Sequence, residues 1–247
     1  MNFGQFHTEP FYLKVSKGKV NAHRAIHKFG AVPAMSQNQT GTIWDVNDTD
    51  YPWSALATTT QLTIPAVNAS DTGKTITILG LDSNYNEQQE DVVVSSASSV
   101  TTTKSFLRVY RAYVVDGSTN VGDIDLQASS TTVCRIKAGK GQTLMAIYTV
   151  PAGFTGYLIK GVCTVQSSAD ATGDMFVRYF GQDSFRVGHS FEVAGVGGMY
   201  NYEFAVPIRI PEKSDIDVRA TVRSNNARLT AAFDVLLVEN AYIDLEK

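Results

Sequence analysis

The sequence predicts an all-β protein built as two β-sandwich or jelly-roll-like domains preceded by an extended N-terminal arm. Three observations predict it. Short runs alternate apolar and polar residues and are rich in β-branched side chains. Clusters of Gly, Pro, Asn and Asp interrupt these runs at spacings of roughly 8–12 residues, and helical periodicity is almost absent. The chain has 247 residues, 43% hydrophobic and 18% charged. That is enough for one large or two ordinary domains, and too apolar for disorder over most of its length.

Residues 1–35 read as the arm. They hold Lys14, Lys17, Lys19, Arg24 and Lys28 against Glu9 alone, while the whole chain carries a net charge of −3. Gly4, Pro10, Gly18, Gly30 and Pro33 interrupt any long periodic element. Phe3, Phe6, Phe11, Tyr12 and Phe29 are too many aromatics for a solvated tail, so either the rest of the chain or a neighbouring subunit is expected to bury them.

A first sandwich is expected over 36–130. Its strands are Gln61–Ile64, Lys74–Leu81, Glu87–Ser95, Lys104–Val115 and Asp123–Gln127. Asp82-Ser-Asn-Tyr-Asn and Asp116-Gly117 supply turns, because Asn and Asp bond nearby amides and tolerate left-handed backbone. The break at Ala128-Ser-Ser-Thr131 is taken as the domain boundary. A jelly-roll-like sandwich is expected over 131–247, with eight strands at Thr132–Lys137, Thr143–Val150, Gly156–Ser167, Asp174–Phe180, Phe185–Val193, Tyr200–Ile210, Ser214–Val222 and Ala227–Val238. Gly139, Gly141 and Gly153 fall where the chain must turn with positive φ.

Recognisable catalytic chemistry is missing from this pattern. Asp71-Thr-Gly-Lys-Thr resembles the end of a P-loop, but Asn68 stands where a glycine is required and no helix follows. Gly195-Val-Gly-Gly lies in no βαβ unit. His23 and His27 lack nearby acidic or thiol partners for a metal and read as a surface pair. His189 and Ser190 point to opposite faces of a strand, so His189 reads as a ring at the sheet surface. The pairs Asp48/Asp50, Asp123/Asp125 and Asp215/Asp217 can in principle serve hydrolysis or calcium, yet Arg209, Glu212, Lys213 and Arg219 beside the last pair favour salt bridges. Trp44, Tyr51 and Trp53 form an aromatic group in a segment that reads as irregular and pinned onto the first sandwich; the alternative is that Trp44 and Trp53 stack on a sugar or base. The acidic body opposes direct nucleic-acid binding. Cys134 and Cys163, the only cysteines, exclude a disulfide scaffold and read as reduced thiols. No apolar run approaches the ~20 residues of a membrane span. The first residues lack the pattern of a secretory signal, so the Asn-X-Ser/Thr sequons carry no weight. No cofactor, metal or enzymatic activity is expected.

Phe11-Tyr-Leu-Lys-Val-Ser-Lys-Gly-Lys-Val-Asn-Ala-His and Lys28-Phe-Gly look like an N-terminal signature shared by virion proteins of tailed bacteriophages, especially marine and environmental ones. Ile43-Trp-Asp, Ile78-Leu-Gly-Leu-Asp-Ser-Asn-Tyr, Val100-Thr-Thr-Thr-Lys-Ser-Phe-Leu-Arg-Val, Gly139-Lys-Gly-Gln-Thr, Tyr148-Thr-Val-Pro-Ala-Gly and Phe204-Ala-Val-Pro-Ile-Arg-Ile-Pro-Glu-Lys-Ser-Asp-Ile resemble later segments of the same proteins. The resemblance covers nearly the whole chain. It implies a non-enzymatic structural component of a virion, made in the host bacterial cytoplasm. The favoured role is a capsid decoration or cement protein, oligomeric with itself and docked on the major capsid protein. Alternatives are a neck, tail or fibre-attachment adaptor that meets neck and tail proteins, or a carbohydrate-binding receptor-recognition module. The residues expected to dock are Phe3, Phe6, Phe11, Tyr12, Lys14, Lys17, Lys19, Arg24, Lys28 and Phe29.

Overall fold

The computed structural model describes residues 9–46, 49–166, 169–195, 197–224 and 226–244. In chain order, α1 (Phe11–Ser16) precedes β1 (His23–Met35) and β2 (Thr40–Thr42). Seven strands follow: β3 (Thr60–Ile64), β4 (Thr75–Leu81), β5 (Glu87–Val93), β6 (Val100–Phe106), β7 (Arg108–Val114), β8 (Ile124–Ala128) and β9 (Thr131–Ile136). The last seven are β10 (Ile147–Thr149), β11 (Phe154–Val165), β12 (Ala171–Arg178), β13 (Arg186–Val193), β14 (Met199–Ile210), β15 (Asp215–Val222) and β16 (Ala227–Glu239), and α2 (Asn240–Asp244) comes after them.

The all-β expectation holds, and the pairing defines a jelly roll. One sheet runs β1-β16-β11-β14 and a second runs β10-β15-β12-β13, with β2 added on β15. The antiparallel pairs β1–β16, β10–β15, β11–β14 and β12–β13 are nested one inside the next. That nesting is a hairpin of strand pairs rolled into two sheets. Period-2 alternation fills the space between them. Leu229, Ala231, Phe233, Val235 and Leu237 of β16 and Ile216, Val218, Ala220 and Val222 of β15 all point into one core.

Strands β3–β9 form a smaller sandwich inserted between β2 and β10. Its sheets are β6-β3-β8-β9 and β5-β4-β7. β7 lies beside β9 and β5 beside β6, so the sheets nearly close around a second core containing Leu62, Ile76, Ile78, Phe106, Ile124 and Val133. The single strand expected over Lys104–Val115 is two. At Leu107, whose amide donates to Leu81 O at 2.8 Å, the chain crosses from one sheet to the other.

Two expected boundaries are corrected. Residues 23–35 are a strand of the jelly roll, paired with β16 from His23↔Val238 to Met35↔Ala227, and not part of a free arm. Gly30 and Pro33 do not stop this strand. It lies at the sheet edge, where a missing donor is tolerated, and its register shifts between Val32 and Met35. The Ala128–Thr131 break is the hairpin turn between β8 and β9, with Ala128 opposite Thr131 and Ser129 at φ 56°, and not a domain boundary. The glycine expectations hold: Gly139, Gly141 and Gly153 have φ of 73°, 66° and 79°. Cys134 lies in the smaller core and Cys163 in the larger, both free, and burial pushes the Cys163 thiol up to about 12. Among the described residues no helix is long and apolar enough to cross a membrane.

Candidate docking surface

Helix α1 is positioned by one side chain. Val15 is its buried residue, and Gly18 at φ 65° ends the turn, with its amide donating to Val15 O at 2.8 Å and that of Lys19 to Lys14 O at 2.9 Å. Burying Val15 turns Phe11, Tyr12 and Leu13 outward, the two aromatics 46% and 45% exposed. Phe11 meets His23 edge-on at 5.8 Å between centroids, and His23 meets Tyr242 of α2 at 5.3 Å. The two ends of the described chain thus build one exposed aromatic row on the outside of the β1-β16-β11-β14 sheet. Beside it runs a shallow groove of about 290 Å³, whose lining includes Tyr157, Ile159, Pro207, Leu236 and Val238. Lys17 and Lys19 pair with Glu9 at the rim.

The expected docking residues therefore divide. Phe3 and Phe6 lie outside the described residues, as do His7 and Asp48. Phe11, Tyr12, Lys14, Lys17 and Lys19 belong to α1 and the turn after it. Arg24, Lys28 and Phe29 are corrected as members of a free arm: all three lie on β1, Arg24 and Lys28 on its inner side and Phe29 on its outer side against His27 at 5.7 Å. Alternation puts residues 24, 26 and 28 on the inner face of β1, where it meets the smaller sandwich. Arg24 donates to Glu87 at 2.7 Å and its guanidinium lies 4.3 Å from the Phe154 centroid. Lys28, 7% exposed, donates to Tyr110 O. Burial, with the nearby Arg111 charge, lowers the Lys28 ammonium to about 7.

Trp44 and Trp53 are corrected as stacking candidates, being 2% and 7% exposed. Trp44 Nε1 donates to Thr49 O at 3.0 Å, and Trp53 Nε1 donates to Asp217 at 2.9 Å. Their rings fill the junction between the two sandwiches because an indole can bury its area there while its N–H keeps an acceptor.

That junction is held by charges the sequence reading missed. Asp215 accepts from Arg108 of β7 at 2.8 and 3.1 Å and from Arg178 of β12 at 3.0 and 2.6 Å, and from Thr149 at 2.6 Å. Asp217 accepts from Thr42, Trp53 and Arg219, and burial raises its carboxyl against their pull. The salt-bridge reading of the acidic pairs holds, with different partners for Asp215. Asp123 and Asp125 likewise pair with Lys137 and Arg135, and Asp50 with Arg219. A signal for Arg108 was present: one cation inside the run Phe106-Leu-Arg-Val needs a buried carboxylate.

His27 bonds Asp234 at 2.5 Å. His189 bonds Tyr200 and stacks on Tyr202 at 5.4 Å, where β13 and β14 expose Val187, Met199 and Val206. Among the described residues no group of His, Cys, Asp and Glu could hold a metal.

Fold and surface together define a jelly roll with an inserted sandwich and an exposed aromatic face. No protein-family model and no curated protein sequence matches the chain. Among solved structures it is similar to cowpea mosaic virus top component, the naturally occurring empty particles, at 10% identity over 74% of this chain and 84% of that one, with a TM-score of 0.24. Broad bean stain virus matches at 10% identity over 74% and 86%, with a TM-score of 0.21. The Gx strain of infectious bursal disease virus matches at 10% identity over 88% and 75%, with a TM-score of 0.23. Scores this low assign neither family nor role.

Proposed function

We propose that the protein is a non-enzymatic structural subunit of a tailed-phage virion, of the capsid-decoration kind, docking on other virion proteins through α1 and α2. The sequence resemblance supports the particle. The observation that carries the docking surface is the row Tyr12, Phe11, His23 and Tyr242, with the Phe and both Tyr rings exposed beside the sheet. Phe11 is already about half buried, so a partner that covers the rest gains roughly 0.7–1.4 kcal/mol, about half the value for a fully exposed ring. The surrounding lysines would steer the encounter with an acidic surface more than hold it. Repetition over a symmetric particle then multiplies a modest affinity.

The test uses Phe11→Ser, Tyr12→Ser and Tyr242→Ser together. All three side chains are exposed, so the melting curve should stay close to wild type while incorporation into particles is lost. Incorporation at wild-type level by the folded triple variant overturns the surface. Copy number per particle, by quantitative mass spectrometry, separates the roles: a number scaling with the major capsid protein fits decoration, and six or twelve fits a neck or tail adaptor.

A further inference from the structure

The described residues leave five buried side-chain nitrogen and oxygen atoms without a partner, and three of them gather in one place: Nε and Nη2 of Arg24 and the hydroxyl of Tyr148. A buried polar group with no partner loses free energy that water or a ligand would restore. Here Tyr148 lines a cleft of about 570 Å³ between β1 and the outer face of the β5-β4-β7 sheet, and Arg24 reaches its rim through Glu87. Ligand sites commonly enclose ~300–1,000 Å³. Its walls include Lys28, Phe29, Gln89, Tyr110, Arg111 and Tyr148.

The charges in the cleft are unbalanced. Among the described residues Glu87 is its one lining carboxylate, and Arg24 occupies it. Lys28 and Arg111 have no carboxylate partner among the described residues. Among the described residues Arg111 hydrogen-bonds the Gln142 amide at 3.1 Å and lies over the Tyr113 ring, and Lys28 hydrogen-bonds Tyr110 O and lies near the Tyr110 ring. An ammonium has three donors, so Lys28 keeps two for something else. The Tyr148 ring is fixed against Tyr110 at 5.3 Å, and its hydroxyl lies within electrostatic reach of Glu87 and Arg24.

We propose that this cleft binds a small molecule bearing a phosphate or carboxylate group, held by Lys28, Arg111 and Tyr148. The anion supplies acceptors to the donors that lack them, and its charge returns Lys28 to the ammonium form. Arg111 of β7 and Cys134 of β9 are the other titratable or charged groups acting on Lys28, and only the arginine is charged at neutral pH. Binding above pH 7 therefore takes up a proton.

The experiment is isothermal titration calorimetry of the full chain at pH 8 with two probes, inorganic phosphate and glutarate, ionic strength being held with chloride. One site is expected for at least one probe. Binding of phosphate alone marks a phosphoryl ligand, and of glutarate alone a carboxylate. Two buffers of different ionisation heat should report uptake of close to one proton. Lys28→Met should abolish uptake and weaken binding about tenfold or more, as loss of a charge-assisted hydrogen bond does. Tyr148→Phe, which only removes a hydroxyl, and Arg111→Gln, at an exposed position, should weaken binding several-fold with folding intact. No binding of either probe by wild type overturns the proposal, as does binding that both Tyr148→Phe and Arg111→Gln leave unchanged.

Discussion

In the inserted sandwich, β4 and β5 are joined by the Asp82–Asn86 turn, and β8 and β9 by Ser129 and Ser130. In the jelly roll around it, β1 finds β16 across the whole chain, His23 opposite Val238, and β10 finds β15. Both regions bury one face of each strand, and both use alternation to do so. They differ in the sequence distance over which a strand must find its partner. Loop closure costs entropy that grows slowly with length, but it must be met before distant contacts form. The inserted sandwich closes within residues 60–136, and the jelly roll depends on its two ends.

The sharpest way to break this comparison is to cut the chain. A fragment of residues 131–247 lacks β1, β2 and the junction, and exposes the flank of β16. It should show no cooperative thermal transition by circular dichroism, whereas residues 57–140 should keep one. A cooperative melt of 131–247 would show that β1 is dispensable. Next in size is the junction. Asp215→Ala leaves Arg108 and Arg178 without their shared carboxylate, and removing one partner of a buried pair costs roughly 3–5 kcal/mol. Urea unfolding should then separate into two transitions, because Arg108 and Asp215 tie one sandwich to the other.

Two glycines sharpen the comparison further. A Cβ at Gly30 would stand 2.1 Å from Ile43 O and 2.4 Å from Ala146 N, so β1 closes on the roll only with glycine there. Gly30→Ala should cost about 3 kcal/mol through backbone displacement. At Gly153 nothing lies within 4 Å of the added atom, and the cost comes from φ 79° alone. Gly153→Ala should cost about 1 kcal/mol, read from the same denaturation curves.

A last test is titration. Asp45 is buried, accepts from Leu144 N at 2.5 Å, and burial raises its carboxyl to about 7. The folded state then binds a proton that the unfolded chain releases near 3.8, so stability falls as pH rises from 3.8 to 7. Lys28 has the opposite sign. Its ammonium is lowered from 10.5 to about 7, so the unfolded chain binds more protons and stability rises from pH 7 to 10.5. Together these two groups cost most near pH 7. Asp45→Asn should flatten the lower limb of a stability–pH curve and Lys28→Met the upper one.

Parts of the surface were legible, and the rest was not, for specific reasons. Phe11 and Tyr12 were expected to be buried by the rest of the chain or by a neighbouring subunit, and α1 leaves both exposed on this chain. Lys28 gave the opposite lesson. A lysine in a basic segment looks solvated, but strand alternation sends it inward with Arg24 and Ile26, and no local pattern reveals which surface covers that face. Trp53 was read as pinning its segment onto the first sandwich, with ligand stacking as the alternative, and its burial bears out the first; its acceptor, Asp217, was not legible because it is distant in sequence. Tyr242 went unread because its neighbours His23 and Phe11 lie at the other end of the chain.

What the sequence by itself determined was the all-β class, nearly every strand from β3 to β16, and the turns at Asp82, Asp116, Gly139 and Gly153. These depend on side-chain alternation and on left-handed backbone, which neighbouring residues specify. Only the tertiary structure decided that β1 belongs to the jelly roll, that Ala128–Thr131 is a hairpin turn, and that Asp215 serves Arg108 and Arg178. The physical reason is common to all three. A strand's alternation states which of its faces is apolar, but hydrogen-bonding edges are nearly identical from strand to strand. Which edges meet, and which charges are then buried together, is settled only when the whole core closes.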